Sequence, residues 1–401
     1  MTETFGEALR RLRGNRSLRD VAALAACGKS YISDLEHGRR HPTPQTARAL
    51  DAALGARGEL AALAGNRPGQ SAIEQADALQ AGLDEALTAG PLADSSLDEI
   101  EWAVARHGRA TRSRPESFHF PELLADFQDL RVLLTHRHPT PVRRRLLIAA
   151  ARMSGLTALT LLKLGDTRAM SWWRTARKAA AAADDRATLS WAYAQEAYQA
   201  YYSGDLYCAL ELATRAQTLA GGLPCVGPAL AAPLEARARA RLSDAANALR
   251  ALDTAETALA RLPAGDQIGS AFGYSESQLR FHAGNALTHL GTTARARVEL
   301  ARAAELYPAS ERMDRALVAL DTAMCTAADG DPAAAADQAA RTLVALAPEH
   351  RTALIIYRAR QVADTVPPGA REVHEVRALR EILAPPGETE RAGGDQHGDS
   401  G

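Results

Sequence analysis

The sequence predicts an all-α protein: a small N-terminal helical head followed by an α-solenoid built from helix pairs. Three observations carry this. Alanine, leucine and arginine, all strong helix formers, dominate the 401 residues. Apolar residues recur at three- and four-residue spacing, whereas β-branched runs of period two are nearly absent. From Gly165 onward, turn signals return at a near-constant interval, which is how stacked helical repeats announce themselves.

The head begins with Phe5–Arg13, where apolar residues at 5, 8, 9 and 12 fall on one helix face and Gly14-Asn15 ends the helix. Ser17 is the expected cap of a second helix over Leu18–Ala25, with Asp20 favouring its positive N-terminus. A turn over Ala26, Cys27 and Gly28 leads into a third helix over Lys29–Glu36. Its Ile32 and Leu35 face inward, while Lys29, Ser30, Tyr31, Ser33 and Asp34 face outward. Thr43 caps a fourth helix over Pro44–Leu54, with proline in its first turn, and a fifth is expected over Ala56–Ala64.

Two short helices joined by a three- or four-residue turn give the helix-turn-helix geometry, in which the outward face of the second helix enters the major groove. Residues at its N-terminal end lie nearest the base edges. Lys29 suits guanine O6 and N7, and Ser30 and Ser33 suit donors or acceptors. Arg19, Arg39, Arg40 and Ser17 are the phosphate candidates, and Gly28, Tyr31, Asp34 and His41 complete the DNA-facing set. The order Leu18-Arg-Asp-Val-Ala22, Ser30-Tyr-Ile-Ser-Asp-Leu-Glu36, His37-Gly38-Arg-Arg-His41 and Pro42-Thr-Pro44 resembles the XRE (Cro/phage-repressor-like) family over residues 4–64. The sequence departs from that family at Ala26 in the turn, Gly28 at the cap and Leu18, where a phosphate-binding glutamine is usual. The resemblance implies a double-stranded DNA operator as partner.

Charge agrees with this division. The whole chain is near neutral, but residues 1–64 carry ten Lys/Arg against seven Asp/Glu, net +3, which leaves −4 on the remainder. A basic head on an acidic body suits a small DNA reader carrying a larger regulatory part. Residues 66–96 read as a linker and 385–401 as a polar, disordered tail, with the helical body between them over 97–384.

In the body, Gly165-Asp166, Gly204-Asp205, Ser243-Asp244, Gly291-Thr292 and Gly330-Asp331 each separate two helical stretches, at intervals of 39, 39, 48 and 39 residues. The long interval contains an insertion, Pro263–Ser270. Glycine lets a first helix end in a left-handed conformation, and aspartate caps the second. The stretches Ala194–Ala216 and Asn285–Pro308 resemble tetratricopeptide repeats, although the usual period is nearer 34. An XRE-like head on such a body resembles a class of actinobacterial regulators, and in related sensors the repeat groove binds a signalling peptide.

Aromatic residues are scarce, yet Trp172, Trp173, Trp191, Tyr198, Tyr201 and Tyr202 fall in consecutive helices of the body. Most are expected to pack helix against helix. Adjacent pairs cannot all point inward, so the remainder are candidates to line a concave face that takes a peptide or flat small molecule. His282 and His289, seven residues apart, and His136 and His138, in a loop, are not arranged as metal ligands. Arg143–Arg145 reads as a solvated helix face. Cys27, Cys208, Cys225 and Cys325 form no CxxC pair and fit a reducing cytosol. No uncharged apolar run reaches eighteen residues, so no membrane span is expected. GxSxG, Walker A, HExxH and strand-linked GxGxxG motifs are missing, and neither catalysis nor a cofactor is expected. The expected function is a homodimeric, cytoplasmic transcription regulator whose body senses an effector. The alternatives are a protein-interaction scaffold and an antitoxin-like repressor.

Overall fold

The computed structural model describes residues 3–25, 27–38, 40, 42–65 and 94–384. The described residues form helices and no strands, and the chain divides into two compact units, Met1–Gly90 and Pro91–Gly401. Residues 66–93 of the expected linker, and the tail over 385–401, lie outside the described residues.

The head contains α1 (Phe5–Arg13), α2 (Leu18–Leu24), α3 (Lys29–Glu36), α4 (Pro44–Leu54) and α5 (Glu59–Gly65). Their apolar faces meet in one core that includes Leu9, Val21, Ile32, Leu35, Leu50 and Leu60. The first four helices fall within a residue of their expected bounds. The fifth starts three residues later than expected. Arg57 and Gly58 take positive φ after Gly55, and the buried Asp51 carboxylate accepts from the Leu60 and Ala61 N–H groups at 3.0 and 2.7 Å. That side chain from α4 fixes where α5 begins.

The second unit opens with α6 (Asp94–Ser113), α7 (Glu116–Thr135) and α8 (Thr140–Lys163). Helix α8 is long and apolar enough to cross a membrane by length and composition, but most of that stretch is buried inside the unit. The chain continues through α9 (Ala169–Ala182), α10 (Arg186–Tyr202), α11 (Leu206–Ala220), α12 (Val226–Arg241) and α13 (Ala245–Arg261). It ends with α14 (Glu276–His289), α15 (Thr293–Leu306), α16 (Arg312–Ala328), α17 (Pro332–Ala345), α18 (Ala353–Asp364) and α19 (His374–Leu383).

Every repeated turn seen in the sequence lies inside a helix pair: α8/α9, α10/α11, α12/α13, α14/α15 and α16/α17. Gly165, Gly204, Gly291 and Gly330 take positive φ there, and so does Ser243 at +60°. Asp205, Asp244 and Asp331 accept from the N–H three residues on, capping the second helix of each pair. The rule fails twice. Asp166 is drawn to Arg168, and the Thr292 hydroxyl turns back to donate to the Leu287 carbonyl.

The concave face expected of an open solenoid is covered. Helix α6 packs on α16, and α8 on α18, so helices from the early and late parts of the unit meet. Arg112 donates to Glu311 at 2.7 Å and lies 3.2 Å from Asp314 across this seam, with all three side chains nearly buried. The insertion between α13 and α14 fills the remaining interior. Ala271 N–H donates to the Gly108 carbonyl at 2.9 Å, while its own carbonyl accepts from Trp191 Nε1 at 2.7 Å and Gln195 Nε2 at 3.2 Å. Phe272 lies against Gly108 and beside the Trp191 ring.

Candidate nucleic-acid interface and the interior of the helical body

In the head, α1 and α3 approach so closely that a Cβ on Gly6 would sit 2.8 Å from the Leu35 and Glu36 carbonyl oxygens. The nearly buried Glu36 carboxylate pairs with Arg13, and the Glu36 carbonyl accepts from Arg10 at 3.2 Å. The end of α3 is thereby anchored, which holds its opposite, N-terminal end toward solvent.

Ser17 and Asp20 form a reciprocal capping box, each side chain accepting from the other's backbone N–H at 3.2 Å. The Ser17 hydroxyl hydrogen stays available to donate to a phosphate, and Arg19 beside it is exposed. Gly28 caps α3 with an extended backbone (φ −75°) and no side-chain bond. Lys29 and Ser30, next in sequence, are exposed. Tyr31, Ser33 and Asp34 are half-buried. Arg40 lies 3.8 Å from the Asp34 carboxylate and over the Tyr31 ring at 5.9 Å, so these two residues also serve to position Arg40. Leu18 belongs to the rim of the head core. Ala26, Arg39 and His41 lie outside the described residues.

The candidate effector residues separate into two groups. Trp173 and Trp191 pack edge-on against each other in the core of the body, and Trp172 lies against Phe127. A Cβ on Gly155 would fall 2.3 Å from the Trp191 ring, so α8 gives way to that indole. Trp173 and Trp191 are buried by interhelical packing, and Trp191 Nε1 donates to the Ala271 carbonyl at 2.7 Å. Tyr198 and Tyr202, by contrast, line a cavity of about 110 Å³ beneath the seam, together with Arg112, Lys163, Phe281 and Leu354. Tyr201 and Tyr202 line a second, much smaller space of about 10 Å³ that also meets Arg237 and Arg358.

Along the smaller space runs a buried polar chain that residue spacing does not reveal. Arg237 Nε donates to Asn285 Oδ1 at 2.8 Å, Asn285 Nδ2 donates to Asp321 Oδ2 at 2.8 Å, and Asp321 pairs with Arg358. The Tyr201 ring lies 4.4 Å from the Arg237 guanidinium. The available signal is Asp321, a single carboxylate in the apolar run Ala316–Cys325. Such a charge is buried only where a partner awaits it. His282 bonds Tyr274 Oη at 3.0 Å, and burial pulls its pKa well down, with Arg237 and Arg112 adding to the effect. A second cluster joins α6 and α7. His107 lies 2.7 Å from Asp126 and 3.1 Å from His119, whose pKa falls to about 4 through burial and the neighbouring His107 and Lys163. Among the described residues no group of acidic, histidine or cysteine side chains is arranged to hold a metal. Arg144 and Arg145 are drawn into pairs with Asp185 and with Asp98 and Glu101.

The profile of a family described as a helix-turn-helix domain matches residues 4–64, the span of the head. A comparison with curated proteins finds no match to the chain. The chain therefore carries an N-terminal helix-turn-helix domain of the class found in DNA-binding regulators, joined to an all-α helical-repeat body.

Proposed function

We propose that the protein is a sequence-specific transcription regulator of XRE type, acting as a homodimer by binding rather than by catalysis. The carrying observation is the exposed N-terminal end of α3. Lys29 and Ser30 stand there in solvent, flanked by Arg19 and the positioned Arg40. One head of this size covers little groove surface, so useful affinity favours two heads on paired half-sites. The tetratricopeptide-like body is the sensor. Its covered interior and small cavity favour a small-molecule effector over an extended peptide. The test is binding of the full chain to DNA from upstream of its own gene at two salt concentrations. Site-specific binding that weakens with salt supports the reading. Failure to bind any genomic fragment would favour the scaffold alternative. Lys29→Ala is expected to alter base preference at one position, whereas Arg40→Ala weakens all DNA about equally and lowers the salt slope by about one.

A further inference from the structure

We propose that the interior of the body binds a small apolar monocarboxylate, its carboxylate held by Arg237 and its hydrocarbon part in the cavity beneath the α6–α16 seam. The inference rests on the reading of the body as a sensor and specifies its ligand. Three observations carry it.

The first is Arg237 itself. Its residue is 2% exposed, and its Nη1 is buried without a hydrogen-bond partner. Nε is spent on Asn285, and Nη2 reaches Tyr202 Oη at a long 3.4 Å. The surrounding rings of Tyr201, Tyr202, Tyr198 and Phe281 attract the cation but cannot accept its in-plane N–H. An arginine fork of this kind is built for a carboxylate.

The second is charge. The chain from Arg237 through Asn285 and Asp321 to Arg358 sets two guanidiniums against one carboxylate, and that carboxylate pairs with Arg358. The side chains that separate Arg237 from it are neutral. Burying an unmatched charge is costly, and a ligand anion would remove the imbalance.

The third is space. The two cavities share Tyr202, Phe281 and Leu317 as a common wall, with Arg237 lining the smaller. The larger, about 110 Å³, is faced by Leu159, Leu162, Leu230, Met313 and Leu354. An apolar cavity of about 150 Å³ accommodates benzene, so this one suits a hydrocarbon part of about four to six carbons. Its charged lining residues Arg112, Lys163 and Asp314 are already in ion pairs, Arg112 with Glu311 and Asp314 and Lys163 with Glu116, which leaves Arg237, across the shared wall, as the anion's partner.

The experiment titrates the purified full chain with pentanoate, hexanoate and benzoate, each against its neutral amide and against acetate, reading heat and thermal shift. The acids are expected to bind and raise the melting temperature, the amides and acetate to do so at least about tenfold more weakly, given the strength of charge-assisted hydrogen bonds. Arg237→Gln should weaken the acids by a similar factor, and Arg237→Lys should retain part of the binding. If Arg237→Gln fails to fold, the acid–amide comparison on the native protein decides. Amides that bind as well as acids, or no binding by either, overturn the proposal. DNA affinity is measured in parallel. Acids that bind without changing it leave the site standing and remove the sensor reading. A change in DNA affinity caused only by neutral molecules removes the carboxylate site and keeps the sensor.

Discussion

Gly6 shows what one missing side chain permits. With no Cβ, α1 can touch the carbonyls at the end of α3, and that contact sets the tilt of the helix carrying Lys29 and Ser30. Gly6→Ala would force the two backbones apart. Overpacking of this kind costs about 1–3 kcal/mol, and the isolated contact offers no flexible neighbour to absorb it. The expected outcome is a lower denaturation midpoint for the head and weaker DNA binding, checked by chemical denaturation and binding on the same sample. If DNA affinity held while stability fell, the tilt of α3 would not depend on this contact. At this scale the sequence was informative about caps and inward faces: Ser17, Thr43, Ile32 and Leu35 sit as periodicity and capping chemistry require. It was silent about Gly6 and Glu36, whose roles depend on partners far away in the chain.

At the scale of the element, the repeated turns were legible because helix termination is local chemistry. A left-handed residue followed by a short acceptor ends one helix and caps the next, and the pattern needs no knowledge of the fold. Ser243 is the exception that tests this account. It holds φ +60° with a Cβ, in an exposed position where the other repeats place glycine. Left-handed backbone costs an L-residue about 1–2 kcal/mol, partly offset by glycine's greater freedom when unfolded. Ser243→Gly is therefore expected to stabilise the body by up to about 1 kcal/mol, read from its denaturation midpoint. A loss of stability would mean that the α12/α13 turn does not need the left-handed conformation. The insertion after α13 was legible only as an insertion. Its burial against Gly108, Trp191 and His282 joins three segments distant in sequence, which no spacing rule can anticipate.

At the scale of the molecule, closure of the body and the burial of its titratable groups were invisible in the sequence, because both arise where distant helices meet. Burial has a consequence for pH. His119, with a pKa near 4, and His289, near 2, are neutral in the folded body, the latter held down by burial and by Arg358, Arg241 and Arg237. Unfolded histidine titrates near 6.5, so below that pH the unfolded chain binds protons that the folded chain refuses. The stability these groups contribute is fully present above about 6.5 and is lost as pH falls toward 4, at up to about 1.4 kcal/mol per pH unit for each. Denaturation at a series of pH values should show this fall, and His119→Gln, tested alone, should reduce its slope. A slope unchanged in that variant would place the acid lability elsewhere.

The seam itself is the remaining test of how this body is built. Arg112 joins α6 to α16 through Glu311 and Asp314, and it lies at the edge of the cavity that also meets α8, α10 and α18. Removing one partner of a buried ion pair costs about 3–5 kcal/mol, because the abandoned charges stay desolvated. Arg112→Ala leaves two carboxylates facing each other. The body can answer by unfolding or by parting α6 from α16 so that water reaches them. The internal contacts of α14 to α17 do not use Arg112, which favours parting. The expected outcome is a drop in overall stability of about that size, with amide exchange rising first in α6 and in the insertion near Ala271. Arg112→Met combined with Glu311→Gln and Asp314→Asn removes the stranded charges and should recover much of the loss. Exchange that rises evenly across all helices would show that the seam does not open as a unit, and that the ends of the body are held by packing rather than by this ion pair.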